Sequence, residues 1–312
     1  MTTETALHAP LKPGIFERLK NGKLIPVAVI SLIIVAVWYM GAVYLNSTMQ
    51  IERFERAKTD WTFSQLISAT LSQDRPLLPA PHQVVAEINK TVFQKKITSK
   101  RSLVFHAGVT ISSTLLGFAA GTILGILLAI GIVHVISLEK SLMPWIISSQ
   151  TIPILAIAPM IVVVLGAIGL KGLVPKAIIS MYLSFFPVTI SMVKGLRSPR
   201  IMELDLMRTY RASIWQTLIM LRLPASLPFL FTGLKIGVAA SLVGAIVSEL
   251  PTGAQAGLGA RLLAGSYYGQ TIQIWSALIV ASILAGTLVA IIGWIEGRVL
   301  KKMGLAEGSS AA

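Results

Sequence analysis

The sequence contains no cysteine and few charged residues. Of its 312 residues, only 13% are Asp, Glu, Lys or Arg, whereas 54% are hydrophobic. The missing cysteines exclude disulfide bonds, cysteine-ligated zinc and a thiol nucleophile. A soluble globule of this length needs more charge than this to cover its surface. The composition therefore indicates a protein that lies in contact with lipid.

Acidic residues are scarcer than basic residues, which leaves a formal net charge of +14. The lysines and arginines lie in the gaps between apolar segments and are not interleaved with aromatic residues on a polar face. This pattern does not indicate a nucleic-acid-binding protein. It is typical of a membrane protein with cationic loops.

The motifs of soluble enzymes are also missing. There is no GxxxxGK[ST] phosphate loop, no HExxH and no GxSxG. The four histidines, at positions 8, 82, 106 and 134, are too dispersed for a metal site. We therefore expect no catalytic residue, no metal and no cofactor on this chain, and energy for any uphill movement of a solute must come from elsewhere.

Six segments are long and apolar enough to cross a hydrocarbon core of about 30 Å. They are Leu24–Leu45, Phe105–Val133, Met143–Leu170, Val174–Val193, Leu227–Leu250 and Ile274–Val299. The first could be a signal peptide, but its apolar run exceeds the usual length and no small-x-small cleavage site follows, so we interpret it as a retained anchor. The sequence predicts an all-α polytopic membrane protein with six transmembrane helices.

Basic residues predict how the chain is oriented. They precede the first span, fill the gap between the fourth and fifth spans and follow the sixth. The positive-inside rule makes that side cytoplasmic, together with both termini, although the external loop is also basic near the second span. The predicted organisation is a tail (1–23), an anchor helix (24–45), an external loop (46–104), a core of five spans (105–300) and a second tail (301–312). In the external loop, VVAEINKTVF repeats an apolar residue every fourth position, which predicts a short amphipathic helix.

Small residues and prolines mark two of the spans. Gly117, Gly121 and Gly125 recur at every fourth position of the second span, which favours close packing against another helix. The third span holds Pro144, Pro153 and Pro159. Interior proline removes a backbone donor, so this span is either a broken helix beside a translocation pathway or a helix with a passive kink.

Few ionisable groups lie within the spans. Lys235 and Glu249 are the clearest, with Gln150 and His106 as weaker polar candidates. A charge at mid-bilayer is costly, which makes each a functional hypothesis. Alternatively, Lys235 extends to the interface and Glu249, at the external end, is hydrated. The candidate residues of a pathway are Gln150, Pro153, Pro159, Lys235 and Glu249.

Residues 205–224, DLMRTYRASIWQTLIMLRLP, form a basic interruption between the fourth and fifth spans. Pro199 and Pro224 limit a helical pattern that predicts two short helices, Met202–Tyr210 and Ser213–Leu221, with a turn near Arg211–Ala212. In the second helix, Ile214, Leu218 and Leu221 form an apolar stripe expected to pack under the membrane domain. Alone, the pattern is typical of a basic interfacial hairpin.

The spacing of this stretch resembles the cytoplasmic loop of permease subunits of bacterial ATP-binding-cassette importers. That loop carries Glu-Ala-Ala, three residues, Gly, nine residues, Ile, any residue and Leu-Pro. Aligned on Leu223-Pro224, this sequence has Asp205 at the Glu, Leu206-Met207 at the alanines, Arg211 at the Gly and Leu221 at the Ile. The segments LLPAPHQVV, QTIPILAIAPMIVVVLG, PASLPFLFTGLKIG and SELPTGAQAGLGARLLAGSYYGQ look like the nitrate/sulfonate/taurine branch, over roughly residues 77–300.

The resemblance implies a role for the loop 196–224 in coupling to the ATPase. Its candidate residues are Glu203, Asp205, Arg208, Arg211, Ala212, Ser213, Trp215, Leu223 and Pro224. Arg211 departs from the family's glycine, and a left-handed turn there costs on the order of 1 kcal/mol. Leu206 and Met207 imply a wider receiving groove or a shifted helix.

The resemblance also implies partners: two cytosolic ATPase subunits that use the ATP, an external solute-binding protein and a second permease copy in a bacterial inner membrane. Residues 248–270 are expected to form the external mouth, with Glu249 and Arg261 near the docked binding protein. Nitrate, sulfonates, taurine and heteroaromatic compounds such as pyrimidines or riboflavin all remain open as solutes. A secondary transporter or a membrane-anchored scaffold is the alternative function.

Overall fold

The computed structural model describes residues 24–250, 254 and 256–304, and every regular element in these ranges is helical. The predicted tail 1–23, most of the tail 301–312 and four residues of the segment 248–270 lie outside the described residues. The all-α prediction is confirmed.

In chain order, the helices are α1 (Leu24–Arg56), α2 (Phe63–Leu71), α3 (Pro81–Val92), α4 (Leu103–His134), α5 (Ile136–Ser149), α6 (Ile154–Ala167), α7 (Leu173–Leu196), α8 (Ile201–Thr209), α9 (Ile214–Thr217), α10 (Leu223–Glu249), α11 (Leu258–Tyr267) and α12 (Thr271–Lys302). A π-helical turn, Leu218–Arg222, joins α9 to α10. Among the described residues, five continuous helical segments are long and apolar enough to cross a membrane, and the pair α5 and α6 supplies a sixth span if it is counted as one.

The third predicted span is broken, not merely kinked. The helix direction bends by 101° between α5 and α6, across residues 150–153. Pro153 has no N–H to donate to the carbonyl of Ser149, four residues earlier, and the hydroxyl of Tyr182 donates to that carbonyl instead. Pro144 and Pro159 lie inside α5 and α6 without ending either helix. A single proline with an outside donor therefore accounts for the break.

Small residues bring α4, α7 and α10 together. A methyl group at Gly117 would overlap Ser180 Cβ and lie 2.6 Å from the carbonyl oxygen of Ala177, both on α7. Gly244 of α10 also lies close to α7, where a methyl group would be 2.9 Å from Ser180 Cα. The glycine pattern thus marks helix packing, as the sequence predicts.

Two compact units divide the chain after Val85. In the first, α1 continues to Arg56, beyond the predicted end at Leu45. Hydropathy falls at Leu45 but helix-forming residues continue, and the buried side chain of Asn46 accepts from the N–H of Leu77 (2.7 Å) and donates to the carbonyl of Leu78 (2.8 Å). A polar anchor therefore holds the 77–78 segment against α1.

The amphipathic helix of the predicted external loop is α3. Within the second unit, Ile88 and Val92 of α3 pack against a buried cluster of Leu103, Leu258, Ala277 and Ala281. The structure thus has a helix at the position of the predicted one, and Ile88 and Val92 of its apolar face are partly buried against α4, α11 and α12.

We predict that Gly117→Ala destabilises the bundle by about 1–3 kcal/mol, because the added methyl group overlaps α7. Gly108→Ala in the same helix is the control: a methyl group there meets nothing within 4 Å. It should be neutral or slightly stabilising, since alanine favours helix over glycine. The measurement is thermal unfolding of the detergent-solubilised protein, and equal melting temperatures for the two variants would contradict the packing described.

Candidate functional site

The loop 196–224 begins and ends its first helix with defined caps. Glu203 accepts a hydrogen bond from the backbone N–H of Arg200 (2.9 Å) at the start of α8. At its end, Arg211 has φ 50°, and the N–H groups of Arg211 and Ala212 donate to the carbonyls of Arg208 and Met207, both at 2.9 Å. This is a Schellman motif with Arg211 at the position that glycine usually holds. The left-handed turn is therefore present despite the arginine.

Polar residues of the loop are partnered within the loop itself. Asp205 accepts from the Arg208 guanidinium at 2.9 Å, and both side chains are exposed. Ser213 caps α9 by accepting from the N–H of Gln216 (3.2 Å), whose side chain accepts from the N–H of Ser213 (2.7 Å). The loop thus has its own hydrogen-bonded shape.

Apolar side chains of the loop are exposed in a group that we call the loop surface. It comprises Ile201, Met202, Leu206, Tyr210, Ile214, Trp215, Ile219 and Met220. Of the predicted stripe, Leu218 is 3% exposed and packs in the bundle core, Leu221 is half-buried and Ile214 is 70% exposed. The stripe prediction is therefore wrong for Ile214, because the helix enters the bundle only at Leu218.

Leu223-Pro224 does not end the helix, so the sequence prediction that Pro224 limits the helix is wrong. One helical segment runs from Ile214 to Glu249. Its π-helical turn places the N–H of Leu223 on the carbonyl of Leu218. Pro224 follows this turn directly, where the regular hydrogen-bond ladder is already interrupted and a missing N–H is tolerated. The Arg222 guanidinium donates to the carbonyl of Leu196 (3.0 Å) and ties this turn to the end of α7.

The opposite end of α10 carries a buried carboxylate. Glu249 is 0% exposed. Its carboxylate accepts from the hydroxyl of Thr110 (3.0 and 3.1 Å to its two oxygens), from the ammonium of Lys176 (3.3 Å) and from the N–H of Gly259 (2.9 Å). Three donors, one of them the oppositely charged ammonium of Lys176, make the burial of this charge tolerable.

Three successive backbone N–H groups are held by the same group of side chains. That of Gly257 donates to Nδ1 of His106 (3.0 Å), that of Leu258 to Thr110 (2.9 Å) and that of Gly259 to Glu249. His106 Nε2 faces the carbonyl of Lys100 at 2.9 Å, so it carries the ring proton. These contacts cap the start of α11. We call His106, Thr110, Lys176 and Glu249 the Glu249 cluster.

Backbone shape at residue 257 requires glycine. Gly257 has φ 128°, and a methyl group there would overlap the Glu249 carboxylate.

The ammonium of Lys176 also donates to the carbonyl of Ala256 (3.0 Å). Lys176 is a residue that sequence reasoning missed, although a lysine at the third position of the predicted span Val174–Val193 was a visible signal.

The five candidate pathway residues do not converge. Lys235 pairs with Glu296 of α12, and it lies about 21 Å along α10 from Glu249. Gln150 and Pro153 lie at the break between α5 and α6, and Pro159 lies inside α6. The docking role suggested for Glu249 needs an exposed carboxylate, so Arg261 alone stays a docking candidate.

Arg261 lies half-buried on α11. Burial lowers the pKa of its guanidinium, the nearby Glu87 opposes that effect, and Arg101 adds to it. Arg261 is therefore the member of the 248–270 segment that belongs to a small charged cluster with Glu87 and Arg101.

Known proteins of similar sequence show which family this chain belongs to. The family "Binding-protein-dependent transport system inner membrane component" matches residues 121–304. The chain belongs to this family. A probable ABC transporter permease protein of Haemophilus influenzae is 30% identical over 234 residues, which are 75% of this chain and 90% of that protein.

Two further relatives carry a solute in their names. The formylaminopyrimidine transport permease protein ThiX of Halalkalibacterium halodurans is 34% identical over 194 residues, 62% of this chain and 72% of that protein. The riboflavin transport system permease protein RibX of Chloroflexus aurantiacus is 33% identical over 191 residues, 61% and 69% of the two chains. This chain is thus a permease subunit of a binding-protein-dependent importer, and the resemblance seen in the sequence is confirmed. Such a subunit works with an ATPase and a substrate-binding protein.

We predict that Glu249→Gln lowers the stability of the permease by about 3 kcal/mol, because Lys176 is left with little solvent and no counter-charge. Lys176→Met should cost a similar amount. The double variant should lose less than the sum, with a coupling of about 1–3 kcal/mol in thermal unfolding.

The matched control is the exposed pair of Glu52 and Arg56, at 3.3 Å. Glu52→Gln with Arg56→Met should show coupling below about 0.5 kcal/mol. Additive losses at Glu249 and Lys176 would contradict the interaction that the structure shows.

Proposed function

We propose that this permease works as a homodimer driven by two cytosolic ATPase subunits, which receive the loop 196–224. The observation that carries this proposal is the loop surface: apolar side chains that are exposed on a rigidly capped loop, beside the exposed cations Arg208 and Arg211. An apolar patch with a charged rim is the usual composition of a protein interface. The basic end of the bundle is then cytosolic, as are both termini.

The shape of the loop supports movement as a unit. Its caps and its ion pair close within the loop, and Arg222 and Leu218 fix its second half to α7 and the core. Movement of a bound ATPase would thus pass into α10 through packed helices. Asp205 is exposed at the start of the family's motif, where it is available to a basic residue of the ATPase.

A second permease copy is supported by the broken span. Residues 151–153 are exposed, with non-helical backbone between two helices of 14 residues each. Irregular backbone at membrane depth must lie against protein or line a cavity with water, because lipid satisfies no hydrogen bond. In the proposed dimer, the break faces the partner copy and the central pathway, with Gln150, Pro153 and Pro159 on it.

At the other end, the segment 248–270 forms the external mouth in this proposal. The Glu249 cluster holds the start of α11 in place, and Arg261 is the residue offered to the docked binding protein. The solute is a small organic or anionic compound that the binding protein delivers.

Phosphate release from the purified permease tests the division of labour. We expect no ATP hydrolysis by this subunit alone, because the sequence has no phosphate loop, and hydrolysis once the separate ATPase subunit is added. ATP turnover by the permease alone that a point change in this chain abolishes would overturn the proposal.

Asp205→Arg tests the loop. It should leave membrane insertion and co-purification of the two permease copies intact, because an exposed charge seldom controls folding. It should lower substrate-stimulated ATP hydrolysis and uptake together by at least about fivefold, as expected for a reversed contact worth about 1 kcal/mol or more.

Two controls accompany this variant in reconstituted vesicles. Asp74→Arg makes the same charge change at an exposed site between α2 and α3, and should keep full coupling. Arg211→Gly relieves the left-handed strain within the loop and should keep or improve coupling. Full coupling in Asp205→Arg would leave the loop as an interfacial hairpin only.

A further inference from the structure

A cavity of about 660 Å³ lies beside the Glu249 cluster. Its walls come from α4, α6, the connection of residues 170–172, the start of α7, the end of α10, and the two residues Ala254 and Ala256. This volume is in the range of sites that hold small organic molecules. The cavity is therefore large enough for the solutes that a permease of this kind carries.

Most of the lining is apolar, with Val109, Val162, Leu170, Leu173 and Pro175 among its residues. Two serines also line it, but each hydroxyl already donates to its own helix: Ser112 to Val109 and Ser248 to Ala245. An apolar body of a solute would thus be in contact with apolar side chains.

The charged groups of the lining are all cations. They are Lys171 and Lys176. Lys176 is neutralised by Glu249, whose carboxylate is fully buried behind the wall. Lys171 is exposed and pairs with no acidic side chain within residues 24–250, 254 and 256–304. Residues 251–255 contain no charged residue in the sequence.

The backbone adds a further positive potential to the cavity. Helix α7 starts at Leu173, and Gly172, Leu173 and Pro175 all line the cavity. The N-terminal end of a helix carries a partial positive charge and N–H groups without partners in the helix. One unpaired ammonium and one helix N-terminus thus face a space with apolar walls and no available carboxylate among the described residues.

We propose that this cavity is a vestibule that selects an organic anion, with a carboxylate or sulfonate at Lys171 and the apolar body against Val109, Leu170 and Leu173. Its place as a vestibule on the solute's route rests on the proposed function of the external mouth. The charge selectivity belongs to the permease alone, and it excludes cationic solutes by desolvation and repulsion.

The absence of cysteine provides a direct test. In the full-length chain, Ser112→Cys places one thiol on the lining, and the hydroxyl that it replaces makes only a contact local to α4. The thiol is treated with 2-sulfonatoethyl methanethiosulfonate, an anion, and with the 2-trimethylammonioethyl reagent, a cation. In both reactions the thiolate attacks the reagent's sulfur, a mixed disulfide forms and methanesulfinate leaves. Because the nucleophile is the same thiolate, any change in the thiol's own ionisation cancels in the ratio of the two rates.

Ser72→Cys, at an exposed site at the end of α2, gives the reference ratio. We expect the anion-to-cation rate ratio in the Ser112→Cys variant to exceed the reference about tenfold. Adding Lys171→Gln to Ser112→Cys should bring the ratio within about twofold of the reference, and adding Lys171→Arg should preserve it. Millimolar benzenesulfonate should slow modification of the Ser112→Cys variant and leave that of the Ser72→Cys variant unchanged.

Four outcomes would each overturn the proposal: equal ratios at the two sites, a ratio that Lys171→Gln leaves unchanged, no reaction of the Ser112→Cys variant with either reagent, or no protection by benzenesulfonate. These rates need neither ATP nor a partner subunit. A failure of the coupling experiments with Asp205→Arg is therefore distinguishable from a failure of the vestibule.

Discussion

A backbone or charged group that loses water inside a bilayer must find a partner in the protein, and the architecture of this permease depends on that constraint. The carbonyl of Ser149, left without a donor by Pro153, accepts from Tyr182 of α7. The carboxylate of Glu249 receives three donors from three separate segments of the chain. Each of these solutions requires another helix at a fixed distance, so satisfying the polar groups also fixes the packing.

Close packing of α4, α7 and α10 makes those partners reachable. Lipid provides no hydrophobic force between helices, so small residues that allow close approach carry the association. Gly117 and Gly244 both approach the same residue of α7, Ser180. Because α7 is clamped from two sides, Lys176 near its start is brought to Glu249 of α10, and Leu196 at its end is brought to Arg222.

The sequence predicts the features that depend on residues close together in the chain. Hydropathy locates the spans, Pro153 indicates the break, and the glycine repeat of α4 indicates a packed face. The Glu249 cluster could not be predicted in the same way, because Glu249 lies 139 residues from Thr110 and 73 from Lys176 in the chain. Pro224 was misleading for a related reason: a π-helical turn removes the steric and hydrogen-bonding conflict that makes proline a breaker, and propensity alone does not show that turn.

The segment Ile214–Glu249 connects the loop that faces the ATPase in our proposal with the proposed external mouth. Its 36 residues form one helical path about 54 Å long, with the loop surface at its start and the Glu249 cluster at its end. The π-helical turn at Leu218–Arg222 is the natural place for it to bend, since such turns interrupt the regular hydrogen-bond ladder. In the proposed cycle, a displacement of the loop that tilts α10 about this turn would move Glu249 relative to α7. Its bonds to Lys176 and Gly259 would resist that movement until the external mouth rearranged with it. Two discrete packings at the mouth, rather than a gradual opening, are then expected, because a buried ion pair is either made or lost.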